Sequence, residues 1–170
     1  RARLSRTQED RERARQQTDA AVPLYTAQAP FPDLHRLGWA DWLLAFLVGV
    51  TVLVAYVPML GPTVTGEDSG ELVTAAYTLG VAHPPGYPIW CLLGKLFTCV
   101  PYGSIAWRVA LMSAFFGALT ASLVYLLVVR LTGSSLGAAI GAFALAFSAE
   151  YWEQSLIAEV YTLNAFFVVA

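Results

Sequence analysis

From Trp39 onward the chain is a series of apolar runs separated by short polar stretches, and before Trp39 it is nearly the reverse. A first run, from about Trp42 to Leu60, is almost uncharged and long enough to cross a hydrocarbon core, with Trp39 and Trp42 where an interfacial aromatic belt sits. A second, from about Ile105 to Val129, opens on Trp107 and Arg108 and closes at Arg130. A third covers about Leu136 to Tyr151, and a fourth begins near Leu156 and continues to Ala170. Gly133, Gly137 and Gly141 recur every four residues, which predicts a small-residue face for close packing of the third run. The expected fold class is all-α: a polytopic membrane protein with about four transmembrane helices.

Between the first two runs lies a polar, turn-rich island from Gly66 to Pro88. Asp68 or Ser69 is placed to cap a short helix, Glu71 completes a capping box with Asp68, and Gly80 supplies a left-handed stop. Leu72, Ala75, Ala76 and Leu79 share one face, so this helix is expected to lie along the membrane interface. After it, Pro84, Pro85 and Pro88 lock His83 into an extended loop. A second interfacial helix, Ile89 to Val100, is apolar except for Lys95. Residues 61–104 then form one loop between spans, carrying Glu67, Asp68, Glu71 and His83.

Composition supports the membrane reading: 57% of residues are hydrophobic, only 13% are charged, and mean hydropathy is +0.57. The formal net charge of −2 hides an asymmetry, because Arg1, Arg3, Arg6, Arg11, Arg13, Arg15 and Arg36 all precede the first apolar run. Such a distribution is a topology signal, not a nucleic-acid signal, and places the amino terminus in the cytoplasm and residue 61 onward in the lumen or exterior. Residues 1–38 divide into an arginine- and acid-rich tail, either disordered or a solvated helix weakly supported by pairs such as Glu9 with Arg13, and a proline-bearing linker from Val22 to Gly38. Glu9, Asp10, Glu12 and Asp19 argue against a mitochondrial transit peptide. With no initiator methionine and an end inside an apolar run, the chain is expected to be a fragment or a processed piece. Cys91 and Cys99, eight residues apart on one expected helix, stand about 12 Å apart and read as apolar fillers, and no metal-ligand spacing occurs.

Ionisable groups at a membrane are costly unless used or neutralised. Asp68 has two compatible roles, a helix cap and a general base whose carboxyl takes a proton from a hydroxyl acceptor. His83 is a loop residue satisfied by a backbone carbonyl, or a donor to a phosphate or sugar hydroxyl. Lys95 and Arg108 either snorkel to headgroups or stabilise a departing lipid phosphate. Glu159, inside the start of the fourth run, requires a partner, a proton or a polar cavity, and Arg108 is a candidate partner.

Glu67-Asp68 directly after the first span, followed by His83-Pro84-Pro85, resembles the GT-C superfamily of polytopic glycosyltransferases that use polyprenyl-phosphate sugars. The closer likeness is to the transmembrane protein 260 family. It runs through Asp68-Ser-Gly-Glu-Leu72, Gly80-Val-Ala-His-Pro-Pro-Gly-Tyr-Pro88, Gly103-Ser-Ile-Ala106 with Arg108, Leu131 to Ser135, and Ala158-Glu-Val160 with Leu163-Asn164. The resemblance implies a GT-C-like amino-terminal module over residues 39–170 of an endoplasmic-reticulum protein O-mannosyltransferase. The implied donor is dolichyl-phosphate mannose and the implied acceptors are Ser or Thr of IPT folds, with Asp68 as base, inversion of configuration, and no metal or cofactor. Read from the residues themselves, Glu67, Glu71, His83, Lys95, Arg108 and Glu159 are the candidate substrate-binding set. Implied partners are the bilayer, the lipid-linked donor and the protein acceptor, with membrane-complex partners open and nucleic acid excluded. Family members are longer, with further spans and a lumenal helical-repeat region. Two rival readings are a non-enzymatic scaffold subunit built on the same domain, and a transporter using Glu159 in an ion path, for which no internal repeat is seen.

Overall fold

The computed structural model describes residues 34–170. The arginine-rich tail and most of the linker fall outside the described residues. Among the described residues seven helices follow one another: α1 Trp39–Tyr56, extended by a 3-10 turn at Val57–Met59, α2 Ser69–Thr78, α3 Pro88–Phe97, α4 Ile105–Thr132, α5 Ser135–Ala146, α6 Ala149–Leu156 and α7 Tyr161–Val169. Two stretches, Trp39–Met59 and Ile105–Thr132, are long and apolar enough to cross a membrane. At 28 residues, α4 is about 42 Å long. Ser104 starts it by accepting the Trp107 N–H at 3.1 Å, and Gly133 ends it at φ 69°. The start of α1 is held by Asp41, which accepts the Gly38 N–H at 2.8 Å and faces His35 Nε2 at 3.7 Å. Another tie joins His35 to α4, whose Arg130 carbonyl accepts the His35 N–H.

The third apolar run is not one helix. It breaks at Phe147-Ser148 into α5 and α6, so the expected span from Leu136 to Tyr151 is corrected to a 12-residue helix of about 18 Å and a shorter polar one. Glu159 lies in the connection between α6 and α7, not inside a helix. Ser148 ends the run, turning its hydroxyl onto the Leu145 carbonyl at 2.8 Å.

Two apolar clusters share α4 as their common wall. On one side, Val48, Val52 and Tyr56 of α1 and Ala138, Ala142 and Ala146 of α5 pack on Ala114, Ala118, Ala121 and Val129. Tyr56, fully buried, donates its O–H to the Ala146 carbonyl at 2.6 Å, satisfying an acceptor at the α5 end. The small-residue face of α5 is therefore this alanine row, wholly buried, and not the expected Gly133/Gly137/Gly141 set. Gly137 is exposed, Gly141 has open space where a Cβ would stand, and Gly133 caps α4.

On the other side of α4, Leu72, Ala75 and Ala76 of α2, Trp90 and Cys91 of α3, and Leu163 of α7 pack against Val109 and Met112. Leu79, expected on this face, is 54% exposed and itself adopts the left-handed conformation that ends α2, at φ 56°. The stop expected at Gly80 thus falls one residue earlier, and the Gly80 N–H bonds back to the Ala75 carbonyl. Cys99 lies past the end of α3 and is exposed, whereas Cys91 is buried.

The α2–α3 contact leaves no room for a methyl group. A Cβ on Gly94 would stand 2.8 Å from the Ala76 Cβ, which has no rotamer to move out of the way. Gly94→Ala is expected to force the helices apart and to destabilise the protein by about 1–3 kcal/mol. A lowered thermal midpoint in detergent checks this, and an unchanged midpoint contradicts it.

Candidate functional site

Pro84, Pro85 and Pro88 have no N–H, so the loop from His83 to Pro88 has few donors to anchor it. Glu71 uses the one at its start. Its Oε1 accepts the His83 N–H at 2.6 Å, and its Oε2 lies 3.2 Å from His83 Nδ1. The other ring nitrogen, Nε2, lies 3.7 Å from Asp68 Oδ2. The loop is closed on itself by the Gly86 N–H donating to the His83 carbonyl at 2.8 Å, and the Tyr87 ring meets the imidazole edge-on at 5.6 Å. The Pro84–Pro85 peptide is cis.

Asp68 occupies the N-cap position of α2 but makes no side-chain capping bond, and Glu71 is turned to the loop. This corrects the expected capping box: a partner 12 residues away takes the carboxylate that would have closed it. Asp68 is left exposed beside an imidazole. Glu67, just before it, is held at φ 58°, a strained conformation for a residue with a Cβ. Asp68, Glu71 and His83 each offer a ligand atom within 4.8 Å of the others, a donor set able to hold a divalent cation.

Glu159 completes the corner from behind. It is only 5% exposed, and its backbone is fastened by Trp90 Nε1–H, donating to its carbonyl at 3.0 Å, and by Ser113, whose hydroxyl meets the same carbonyl at 3.3 Å. Its Oε1 has no hydrogen-bond partner among the described residues. Burial pushes the carboxyl above its usual range, the nearby Glu67 and Asp68 carboxylates push it further, and the Val160 and Asp68 backbones partly offset this.

Arg108 does not pair with Glu159. Its guanidinium takes the carbonyls of Thr98, at 2.8 Å, and of Tyr102 and Gly103, tying off the chain after α3. Lys95 donates to the Tyr77 carbonyl and sits over the Tyr77 ring, near the far end of α2 from Asp68, a separation of about 13 Å along the helix. The structure brings together Glu67, Asp68, Glu71, His83 and Glu159, and leaves Lys95 and Arg108 engaged elsewhere.

A cavity of about 560 Å³ opens beside Glu67, lined also by Ser148, Glu150, Tyr151, Gln154 and Tyr161. None of the last five was singled out from sequence as a site residue. The signal was the polar Glu150–Gln154 segment between two apolar runs, which reads only as a turn at the membrane surface.

An exposed carboxylate on a short helix, fixed by a proline loop beside two candidate membrane-crossing helices, defines an all-helical, membrane-type module with an acidic site. Residues 68–170 match the family model described as the Protein O-mannosyl-transferase TMEM260 N-terminal domain. The chain is 47% identical over 122 residues to the mouse (Mus musculus) protein named "Protein O-mannosyl-transferase TMEM260", covering 71% of this chain and 17% of that protein. It is 33% identical over 125 residues to the Dictyostelium discoideum protein of the same name, covering 72% of this chain and 15% of that one. The chain belongs to the TMEM260 family and corresponds to its amino-terminal part. It spans less than a fifth of the length of these curated relatives. No solved structure matches it.

The raised Glu159 carboxyl has a signed consequence. The native state holds this proton at pH values where the unfolded chain has lost it, so wild-type stability falls as pH rises above the ordinary value of 4.5 toward the native one. Glu159→Gln removes this dependence. Its thermal midpoint relative to wild type is expected to climb as pH rises above 4.5, and a difference that stays flat with pH would count against a raised Glu159 carboxyl.

Proposed function

We propose that this chain forms the amino-terminal, site-bearing part of a membrane glycosyltransferase that moves mannose from dolichyl-phosphate mannose to Ser or Thr hydroxyls of IPT-fold acceptors. The family and the names of its relatives support the reaction class. The observation that carries the chemistry is Asp68, a carboxylate at a helix start that makes no capping bond, and which is held beside His83. In this reading Asp68 takes the proton of the acceptor hydroxyl as the hydroxyl oxygen attacks the mannose anomeric carbon. The bond from that carbon to the phosphate oxygen breaks, dolichyl phosphate leaves with the electron pair, and the configuration inverts.

Glu71 and His83 serve as positioning residues: Glu71 fixes the loop, and His83 orients the Asp68 carboxylate. Of the groups weighed for the leaving phosphate, His83 is the one beside Asp68. The site faces the lumen of the endoplasmic reticulum in this account, the amino terminus is cytoplasmic, and α1 and α4 cross the bilayer.

Asp68→Asn keeps the size of the side chain and removes the base. Transfer of labelled mannose by membranes containing the full-length protein is expected to fall by about 10²-fold or more. Undiminished transfer would move the base to Glu67 or Glu71.

A further inference from the structure

Glu159 is held by its backbone from two sides. Trp90 on α3 donates its indole N–H to the Glu159 carbonyl at 3.0 Å, and the Ser113 hydroxyl on α4 meets that carbonyl at 3.3 Å and takes the Glu159 N–H at 3.4 Å. Both anchors are buried in the packed interior, Trp90 at 2% and Ser113 at 1% exposure, so neither is free to shift. Contacts to two helices thus fix a residue whose own Oε1 has no hydrogen-bond partner among the described residues. A backbone fixed this firmly leaves the side chain little choice of direction.

That direction is toward the turn that opens α2. Ile157 and Ala158, just ahead of Glu159, wall a small cavity together with Thr65, Ser69 and Val73. The Glu67 and Asp68 carboxylates lie near the Glu159 carboxyl, and the Val160 and Asp68 backbone N–H groups are turned to it. The opening of α2 lacks what a helix start ordinarily has, since Asp68 makes no capping bond and Glu71 is committed to the His83 loop. Glu67, one residue earlier, keeps a left-handed φ of 58°, a conformation that persists where neighbouring structure holds it.

We propose that Glu159 is a positioning residue for the transfer: from the connection between α6 and α7 its carboxyl holds the Glu67–Asp68 turn, and thereby the direction of the Asp68 carboxylate. In a capping box the third residue of the helix returns its carboxylate to the backbone N–H of the capping residue. Glu71 has left that place for the loop, and Glu159 takes it from a different element. Buried behind the corner, Glu159 acts through Asp68 and not on the reacting atoms. This role rests on the glycosyl-transfer reading above, because a base must lie within hydrogen-bond reach of the hydroxyl it deprotonates.

The test uses the full-length protein and two variants: Glu159→Leu, which fills the space without the oxygens, and Glu159→Gln, which keeps one acceptor oxygen. Amide hydrogen exchange is read at Asp68, and mannose transfer is read as kcat and KM. Glu159→Leu is expected to raise Asp68 exchange about five- to tenfold, the worth of one hydrogen bond, and to lower kcat about tenfold or more with the donor KM unchanged. Glu159→Gln is expected to recover most of both, whereas a role resting on bulk alone would leave the leucine variant as good as the glutamine one. Where Glu159→Leu does not accumulate, Ser113→Ala, which loosens the Glu159 backbone, is measured in its place with the same expectation in direction. Unchanged Asp68 exchange or undiminished kcat in Glu159→Leu, a raised KM alone, or a glutamine variant as impaired as the leucine one overturns the positioning role and leaves the transferase reading standing. Wild type that transfers no mannose overturns the transferase reading and this role with it.

Discussion

Glu71 accepts the backbone N–H of His83 at 2.6 Å while its second oxygen meets the imidazole, and the corner around Asp68 is organised by that one carboxylate. A loop containing three prolines has little hydrogen-bonding capacity of its own, so its position against α2 depends on the donor it does have. With that donor taken, His83 presents its other nitrogen toward Asp68 and the Tyr87 ring meets the imidazole edge-on. Asp68 stays free of capping duty because α2 begins without a side-chain cap. The conformational cost of an uncapped helix start and of a left-handed Glu67 falls on residues at the candidate site, where local strain is commonly met by surrounding packing.

That packing is supplied by α4. Alanines on one side of it let α1 and α5 approach closely, and Val109, Met112 and Phe116 on the other meet α2, α3 and α7. The connection bearing Glu159 is pinned to this wall by Ser113 and to α3 by Trp90, which places a buried carboxyl behind an exposed acidic cluster. Burial, with the Glu67 and Asp68 carboxylates nearby, pushes the Glu159 carboxyl above its usual range. Apolar side chains such as Phe46, Val54 and Leu136 remain exposed on the outside of the helices, as a bilayer or further protein would require.

The helices around the acidic motif were legible because uninterrupted apolar runs and prolines mark them locally, and the motifs from Asp68 to Asn164 together carried the family resemblance that the family model bears out. What failed was longer in range. The capping box was a sound local expectation, overridden by a partner that sequence could not place beside Glu71. The glycine face was misread because α5 is apolar almost all round, so periodicity does not tell which stripe is buried. Its alanines at 138, 142 and 146 have the same four-residue spacing as the glycines, one position over. Arg108 looked like the natural partner of Glu159 by charge, yet the free carbonyls after α3 are nearer in sequence and claim it. The cavity residues from Glu150 to Tyr161 became visible only once the third run was seen to break at Ser148.

The most direct test of this account is amide hydrogen exchange on the full-length protein and its Glu71→Ala variant, followed in the segment from Val81 to Cys91. If Glu71 holds the loop, exchange at the His83 and Gly86 amides should rise sharply in the variant while the amides of α4 keep their protection. Unchanged protection at His83 would contradict the claim, because the loop would then be held by something other than the carboxylate on which the site is built.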